Sequence, residues 1–289
     1  MDAALRDLAR RWQRYWPEAD SRALVADVEA RFEAACDTWG LTSPQLLTGG
    51  VVALTCAASD RVLKVLPRLH PERAQMRGEG ETLAFWRPTG AAAELLDRRD
   101  DGMTLLLRRI EPATTLDEAV AEHDEQLTIV GRLVRRLHAA GEPSSSVPPV
   151  AEHVAAFRRV PDPALQAELD GLLAQPGRVV AAHADLHGGN VLRDGDRWVA
   201  IDPKGVRGDP HLDIWLLVCP QAPPLPDGDQ EARDEAWRRV TLYADAAGLD
   251  AERAAAWARV VAGAEAVLSA DSAFGGWPQR LRRLAQALG

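Results

Sequence analysis

The chain has 289 residues, 34 of them basic and 43 acidic, with 46% apolar and 27% charged, a composition of ordinary soluble globular proteins and too apolar for a disordered chain. A net charge of −9 argues against a nucleic-acid binder, because neutralising phosphates takes a basic footprint, and it leaves room for a cationic small-molecule partner. Three cysteines (Cys36, Cys56, Cys219) in no CxxC spacing offer neither a disulfide framework nor a zinc knuckle, which fits a reducing cytoplasm.

Leu5, Leu8, Trp12 and Tyr15 recur at helical spacing, and the charges between them are those of a surface helix, not a signal peptide. A second amphipathic helix starts near Ser21, a suitable N-cap, and carries Leu24, Val28 and Phe32 on one face. The texture then turns β-rich. Gln45–Cys56 and Arg61–Leu66 read as a hairpin, His70–Trp86 as a helix with Pro71 near its start, and Glu94–Leu96 with Met103–Ile110 as a second hairpin around Asp100-Asp101-Gly102. Glu111-Pro112-Ala113 breaks the pattern. A long helix is expected from about Thr115, with Leu127, Val130, Leu133, Val134 and Leu137 on one face, then a Ser/Pro loop, 141–149, and another helix leading to Pro176-Gly177. Short strands are expected at Val179–Ala182, Val191–Leu192 and Trp198–Ile201. The remainder reads as helix apart from the loop Pro220–Gly228. The stretch Val260–Phe274 is apolar but is interrupted by Glu265 and Asp271 and is too short to span a bilayer. This order predicts an α+β protein with a small β-rich lobe at 1–111, a Pro-marked hinge, and a larger helical lobe at 112–289.

Two counts sharpen the search for chemistry. Only Lys64 and Lys204 among the basic residues are lysines, and Asn190 is the sole asparagine. Where composition has favoured arginine so heavily, a surviving lysine marks a position that wants a compact ammonium instead of a planar guanidinium fork.

The segment His183-Ala184-Asp185-Leu186-His187-Gly188-Gly189-Asn190 has the spacing H-x-D-x-x-x-x-N, and Asp202 follows at the end of the next strand. Phosphoryl transfer from a nucleotide needs such a set: a carboxylate to take the proton of the attacking hydroxyl, and an amide and a second carboxylate to hold Mg²⁺ against the phosphates. Asp185 is thus the expected base, with Asn190 and Asp202 the expected metal ligands. Val62-Leu63-Lys64-Val65 sets Lys64 in an apolar strand, where it would pair the phosphates and a helix glutamate. Glu79, four residues before Leu83 on a shared face, is preferred to Glu81 for that partner.

On HADLHGGNVL, IDPKG (201–205) and GDPHLDIW (208–215), the chain resembles the aminoglycoside phosphotransferases, especially the streptomycin 6-kinase and hydroxyurea kinase branch. Weaker likeness runs through the strand around Lys64, the Glu79–Trp86 helix and Leu105–Pro112. The resemblance implies a protein-kinase-like bilobal fold, with ATP (GTP left open) and Mg²⁺ as cofactors. It implies that Asp213 braces the catalytic loop by accepting backbone hydrogen bonds, and that Arg109 and Glu111 offer hinge backbone groups to adenine. It also implies an alcohol acceptor, streptomycin first. His183 and Lys204 are supporting residues, Lys204 meeting either a phosphate, the acceptor, or a carboxylate such as Asp209. Two departures stand out: Leu47-Thr48-Gly49-Gly50-Val51 is a poor glycine-rich loop, and Ala113 replaces a usual hinge glycine.

Three other readings are weaker. A metallophosphoesterase could use His183, Asp185 and His187, which alternate as strand ligands can, but it needs further Asn and His clusters that this chain lacks. A pseudokinase would have lost a base or metal ligand. A protein kinase would carry an Ala-Pro-Glu segment, absent after Pro220, so a small acceptor is favoured. Cationic aminocyclitols want carboxylates, and Asp209, Glu265 and Asp271 are the candidates. His70, His123, His138 and His153 read as surface or satisfied core positions.

Overall fold

The computed structural model describes residues 2–15, 20–47, 52–69, 76–270 and 275–289. The expected loop at 48–51, the helix start at His70 and Pro71, and Asp271 lie outside them.

Helices α1 (Asp2–Tyr15) and α2 (Ser21–Trp39) pack together and onto a sheet. Leu5, Leu8 and Trp12 meet Leu24, Val28 and Phe32 and close over Leu54, Cys56, Leu63 and Val65. Burying a large apolar side chain stabilises by about 1.5–3 kcal/mol, so this cluster ties the helices firmly to the strands. The N-cap of α2 is Asp20, one residue before the expected Ser21: its carboxylate accepts from Arg22 N (3.0 Å) and Ala23 N (3.1 Å). Arg31, a buried cation that no pattern announced, donates to Thr104 Oγ1 (2.9 Å), to the Met103 and Leu66 carbonyls, and to Asp27 (2.6 Å). It saturates backbone acceptors that burial would otherwise leave empty.

The sheet, among the described residues, runs β1–β2–β3–β5–β4: β1 (Gln45–Leu46), β2 (Leu54–Ala58), β3 (Arg61–Val65), β4 (Leu95–Arg99) and β5 (Thr104–Arg108), all neighbours antiparallel. Both expected hairpins are present, with turns at Ser59-Asp60 and Asp100–Gly102. Helix α3 (Gly78–Trp86) is the inserted helix.

The expected single helix after Thr115 is two. A Thr115/Glu118 capping box opens α4 (Leu116–Ala119), but buried Val120 is extended (φ −129°, ψ 108°), and α5 (His123–His138) begins beyond it. Gln126 Nε2 donates to the freed Val120 carbonyl (2.7 Å). Leu127, Val130, Leu133, Val134 and Leu137 are buried as their periodicity predicts. Two short strands escaped the sequence reading, β6 (Pro112–Thr115) and β10 (Val206–Gly208), each too brief to show alternation. β6 joins the hairpin of β8 (Val191–Asp194) and β9 (Arg197–Ala200), and β10 pairs with β7 (Val180–Ala182). Helices α6 (Val150–His153), α7 (Pro163–Ala174), α8 (Trp215–Val218), α9 (Asp229–Ala247), α10 (Ala251–Leu268) and α11 (Trp277–Ala287) build the rest. The architecture is α+β, β-rich first and helical after.

The two regions are joined where the site lies. Ala93 N donates to Ala200 O (2.8 Å), and Ala200 N to Ala91 O (2.9 Å). Arg108 at the end of β5 clasps Asp194 at the end of β8 (2.7 Å). No helix among the described residues is long and apolar enough to cross a membrane.

Candidate active site

β3 and α3 bring the first two site residues together. Lys64 and Glu79 are 6% and 5% exposed, and the Lys64 ammonium lies 2.8 Å from Glu79 Oε1 and 2.8 Å from Asp202 Oδ1. Glu81, the alternative helix glutamate, instead pairs with Arg98 (2.8 Å). Burial works against the Lys64 cation, but the Asp202 and Glu79 carboxylates outweigh it and hold the ammonium charged. Burial likewise pushes the Glu79 carboxyl up against the pull of Lys64, and Asp202 is held below its ordinary value because Lys64 outweighs its desolvation. The Asp202 side chain remains 46% exposed beside the buried Lys64. The IDPKG backbone sits tight against α3. A Cβ on Gly78 would fall 2.2 Å from the Lys204 carbonyl oxygen, and one on Gly205, whose φ is +65°, would meet Gly78 O at 2.3 Å. Only hydrogens fit there.

The loop from β7 to β8 holds Asp185 and Asn190. Ala184 adopts φ +62°, a left-handed conformation that costs an alanine energy, and its N–H donates to Asp213 Oδ1 (2.8 Å). Asp213 is fully buried, receives His138 Nε2 on its other oxygen (2.8 Å), and its own carbonyl accepts the Tyr243 hydroxyl. His138 is therefore a buried structural partner. Asn190 Nδ2 donates to the Asp185 carbonyl (2.9 Å), and its carbonyl accepts Ile201 N (2.9 Å), which leaves its side-chain oxygen for another ligand.

His183 is buried, donates from Nε2 to the Ile201 carbonyl (2.8 Å), and stacks on Trp86 with centroids 6.1 Å apart. Burial lowers its pKa and keeps the ring neutral. It braces β9 against the loop, and its Nδ1 is buried without a partner among the described residues. His187 Nδ1 accepts from Gly189 N (3.1 Å). Among the described residues no group of three or more His, Cys, Asp or Glu side chains converges as a metal cage, so the alternating His-Asp-His ligand set does not form.

Lys204 turns toward Asp185, its Nζ 3.6 Å from Oδ2. The expected alternative, pairing with Asp209, is corrected: Asp209 is 1% exposed and is held by His211 Nδ1 (2.6 Å) and Arg253 Nε (2.6 Å). Its charge is spent on the fold, so it is no acceptor group either. Glu265 is half-buried and bonded to Ser269 (3.0 Å), its carboxyl pushed up by burial. His153, read as a plain surface or core position, has a buried Nδ1 without a partner among the described residues.

At the hinge, Arg109 and Glu111 meet side chain to side chain (3.4 Å). Arg109 N already donates to Asp60 O (2.8 Å), and Glu111 O accepts Gly195 N (2.9 Å). The Arg109 carbonyl accepts Arg108 Nη1 (3.1 Å), and the Glu111 N–H has no partner among the described residues. Ala113, at φ +61°, holds the left-handed backbone that a glycine would adopt without strain.

Residues 51–273 match the aminoglycoside/hydroxyurea antibiotic resistance kinases. The streptomycin 6-kinase of Streptomyces griseus is 30% identical over 260 residues, covering 82% of this chain and 81% of its own. The hydroxyurea phosphotransferase of Kitasatospora aureofaciens is 31% identical over 261 residues, covering 83% and 72%. The GDP complex of wild-type aminoglycoside 2'-phosphotransferase-IIIa shares the fold, with a TM-score of 0.55 and 12% identity over 91% of this chain and 98% of that one. The chain belongs to the aminoglycoside/hydroxyurea antibiotic resistance kinase family and is a phosphotransferase acting on a hydroxyl group.

Proposed function

We propose that this chain transfers the γ-phosphoryl group of ATP to a hydroxyl of streptomycin or a related cationic aminoglycoside, acting in the cytoplasm as a resistance enzyme. The observation that carries the reading is the Lys64 ammonium held between Glu79 and Asp202, with Asp185 and Asn190 on one adjoining loop. The 30% identity to a streptomycin 6-kinase over four-fifths of the chain supports the acceptor.

Nucleotide sits between residues 1–111 and 112–289. Glu79 fixes Lys64 so that its ammonium meets the α- and β-phosphates. The Glu111 N–H meets the base, and GTP can take the place of ATP there. The side-chain oxygens of Asn190 and Asp202 suit Mg²⁺, which takes one or two protein oxygens and completes its shell with phosphates and water. When bound, Mg²⁺ neutralises phosphate charge. Asp185 orients the acceptor hydroxyl and takes its proton. Asp213, through the Ala184 N–H, and His183, through Ile201, hold the loop that carries Asp185.

A second reading, transfer to hydroxyurea, rests on the 31% identity to the Kitasatospora aureofaciens phosphotransferase. Expression in a streptomycin-sensitive bacterium tests the first. The tolerated dose rises with the wild-type chain and not with Asp185→Asn; equal sensitivity in both strains, with the protein made, contradicts streptomycin as acceptor.

A further inference from the structure

Lys204 is one of the chain's two lysines, and no short hydrogen bond holds its ammonium among the described residues. Its backbone is pinned: Lys204 N donates to the His183 carbonyl (2.9 Å), and its own carbonyl packs on Gly78. Its side chain is free by contrast, 45% exposed. Its ammonium lies 3.6 Å from Asp185 Oδ2 and is close enough to Asp202 and Glu79 to help hold both carboxylates charged. The separation from Asp185 is longer than a made charge-assisted hydrogen bond, at about 2.7–2.9 Å. An ammonium has three donors. Lys64 differs in kind: it is buried and held at 2.8 Å by both Glu79 and Asp202.

Lys204 lies two residues beyond Asp202 in sequence and touches the surroundings of Asp185 in space. Resting on the kinase reading above, this puts an exposed cation, held by no short hydrogen bond, between the donor's side of the cleft and the acceptor's. We propose that Lys204 is a catalytic residue whose ammonium contacts the non-bridging oxygens of the phosphoryl group while it passes from nucleotide to acceptor. In that step the bond from the γ-phosphorus to the β-bridging oxygen breaks and its electron pair leaves with the nucleoside diphosphate. A bond from the acceptor oxygen to the phosphorus forms, and the hydroxyl proton goes to Asp185. Lys204 keeps its protons throughout and supplies charge to a group whose three equatorial oxygens carry the transition-state charge. A contact of this kind acts on kcat and leaves ground-state binding nearly unchanged.

The test compares wild type, Lys204→Met and Lys204→Ala in steady-state transfer from Mg-ATP to an alcohol panel led by streptomycin. Nucleotide affinity is measured by calorimetry and the melting temperature is recorded. Lys204→Met lowers kcat by about 10²–10³-fold, as loss of one preorganised electrostatic contact does. Nucleotide affinity, acceptor KM and melting temperature stay near wild type. Ethylammonium added to Lys204→Ala restores part of the lost kcat, which a purely structural residue would not allow. The inference is overturned by wild-type kcat in Lys204→Met, by a loss confined to nucleotide affinity or acceptor KM, or by a loss in Lys204→Ala that ethylammonium leaves untouched. A wild-type protein that phosphorylates no member of the panel overturns the kinase reading instead, and this inference with it.

Discussion

The Lys64 ammonium stands 2.8 Å from Glu79 and 2.8 Å from Asp202, so one buried cation joins the sheet, helix α3 and the segment after β9. Removing either carboxylate leaves a buried charge short of a partner, and replacing the ammonium changes the shape of the joint. Lys64→Arg is therefore not conservative. The planar fork cannot occupy a site closed by two carboxylates at that distance, and kcat/KM is expected to fall by about 10²-fold, the scale of a lost preorganised contact. Steady-state kinetics check this; wild-type kcat/KM would place Lys64 outside the site.

The roles proposed for Asp202 and Asp185, on opposite substrates, separate experimentally. Asp202→Ala loses Mg²⁺-dependent nucleotide binding, whereas Asp185→Asn keeps nucleotide affinity and loses turnover. Calorimetric titration with Mg-nucleotide beside single-turnover kinetics distinguishes them. Equal loss of nucleotide affinity in both variants contradicts the roles given to them.

Gly78→Ala drives a methyl into the Lys204 and Gly205 carbonyls, at 2.2 and 2.3 Å. Backbone cannot swing aside as a side-chain tip can, so the variant is expected to lose about 1–3 kcal/mol of stability, the usual cost of overpacking. Activity falls as well, because the displaced segment carries Asp202 and Lys204. Chemical denaturation reads the first effect, and an unchanged midpoint argues that α3 sits farther from this segment.

Buried His153, His123 and His183, all with lowered pKa values, contribute a pH dependence to stability. Burial pushes His153 down to about 4, aided by nearby Lys204, and pushes His123 down to about 4, aided by Arg239. An unfolded histidine titrates near 6.5. Between those values the unfolded chain binds protons that the folded chain refuses, so stability is full above pH 6.5 and is lost as pH falls toward 4. His153→Gln should flatten that slope in melting temperatures taken from pH 7 to pH 4. An identical slope in wild type and variant assigns the pH dependence elsewhere.

What the sequence revealed and what it hid follow from the range of the forces involved. The candidate catalytic loop was legible because its residues are neighbours in the chain: Asp185 and Asn190 share one loop, and Asp202 follows the next hairpin. Lys64 stood out as a lysine in an arginine-rich chain, and Glu79 by its helical phase. Arg31 reaches carbonyls some 35 and 72 residues away, and nothing local marks that. Asp209 looked like a free acid beside Lys204, yet Arg253, 44 residues on, had already claimed it. The break at Val120 was hidden for the same reason. Local helix propensity runs on through it, and tertiary burial decides otherwise.

The most direct measurement is mass spectrometry of streptomycin incubated with the purified protein, ATP and Mg²⁺, with Asp185→Asn as control. The account predicts one added phosphoryl group with wild type, dependence on both nucleotide and Mg²⁺, and no product from Asp185→Asn. Undiminished product from Asp185→Asn, or release of phosphate from a phosphoester without any nucleotide, would contradict it.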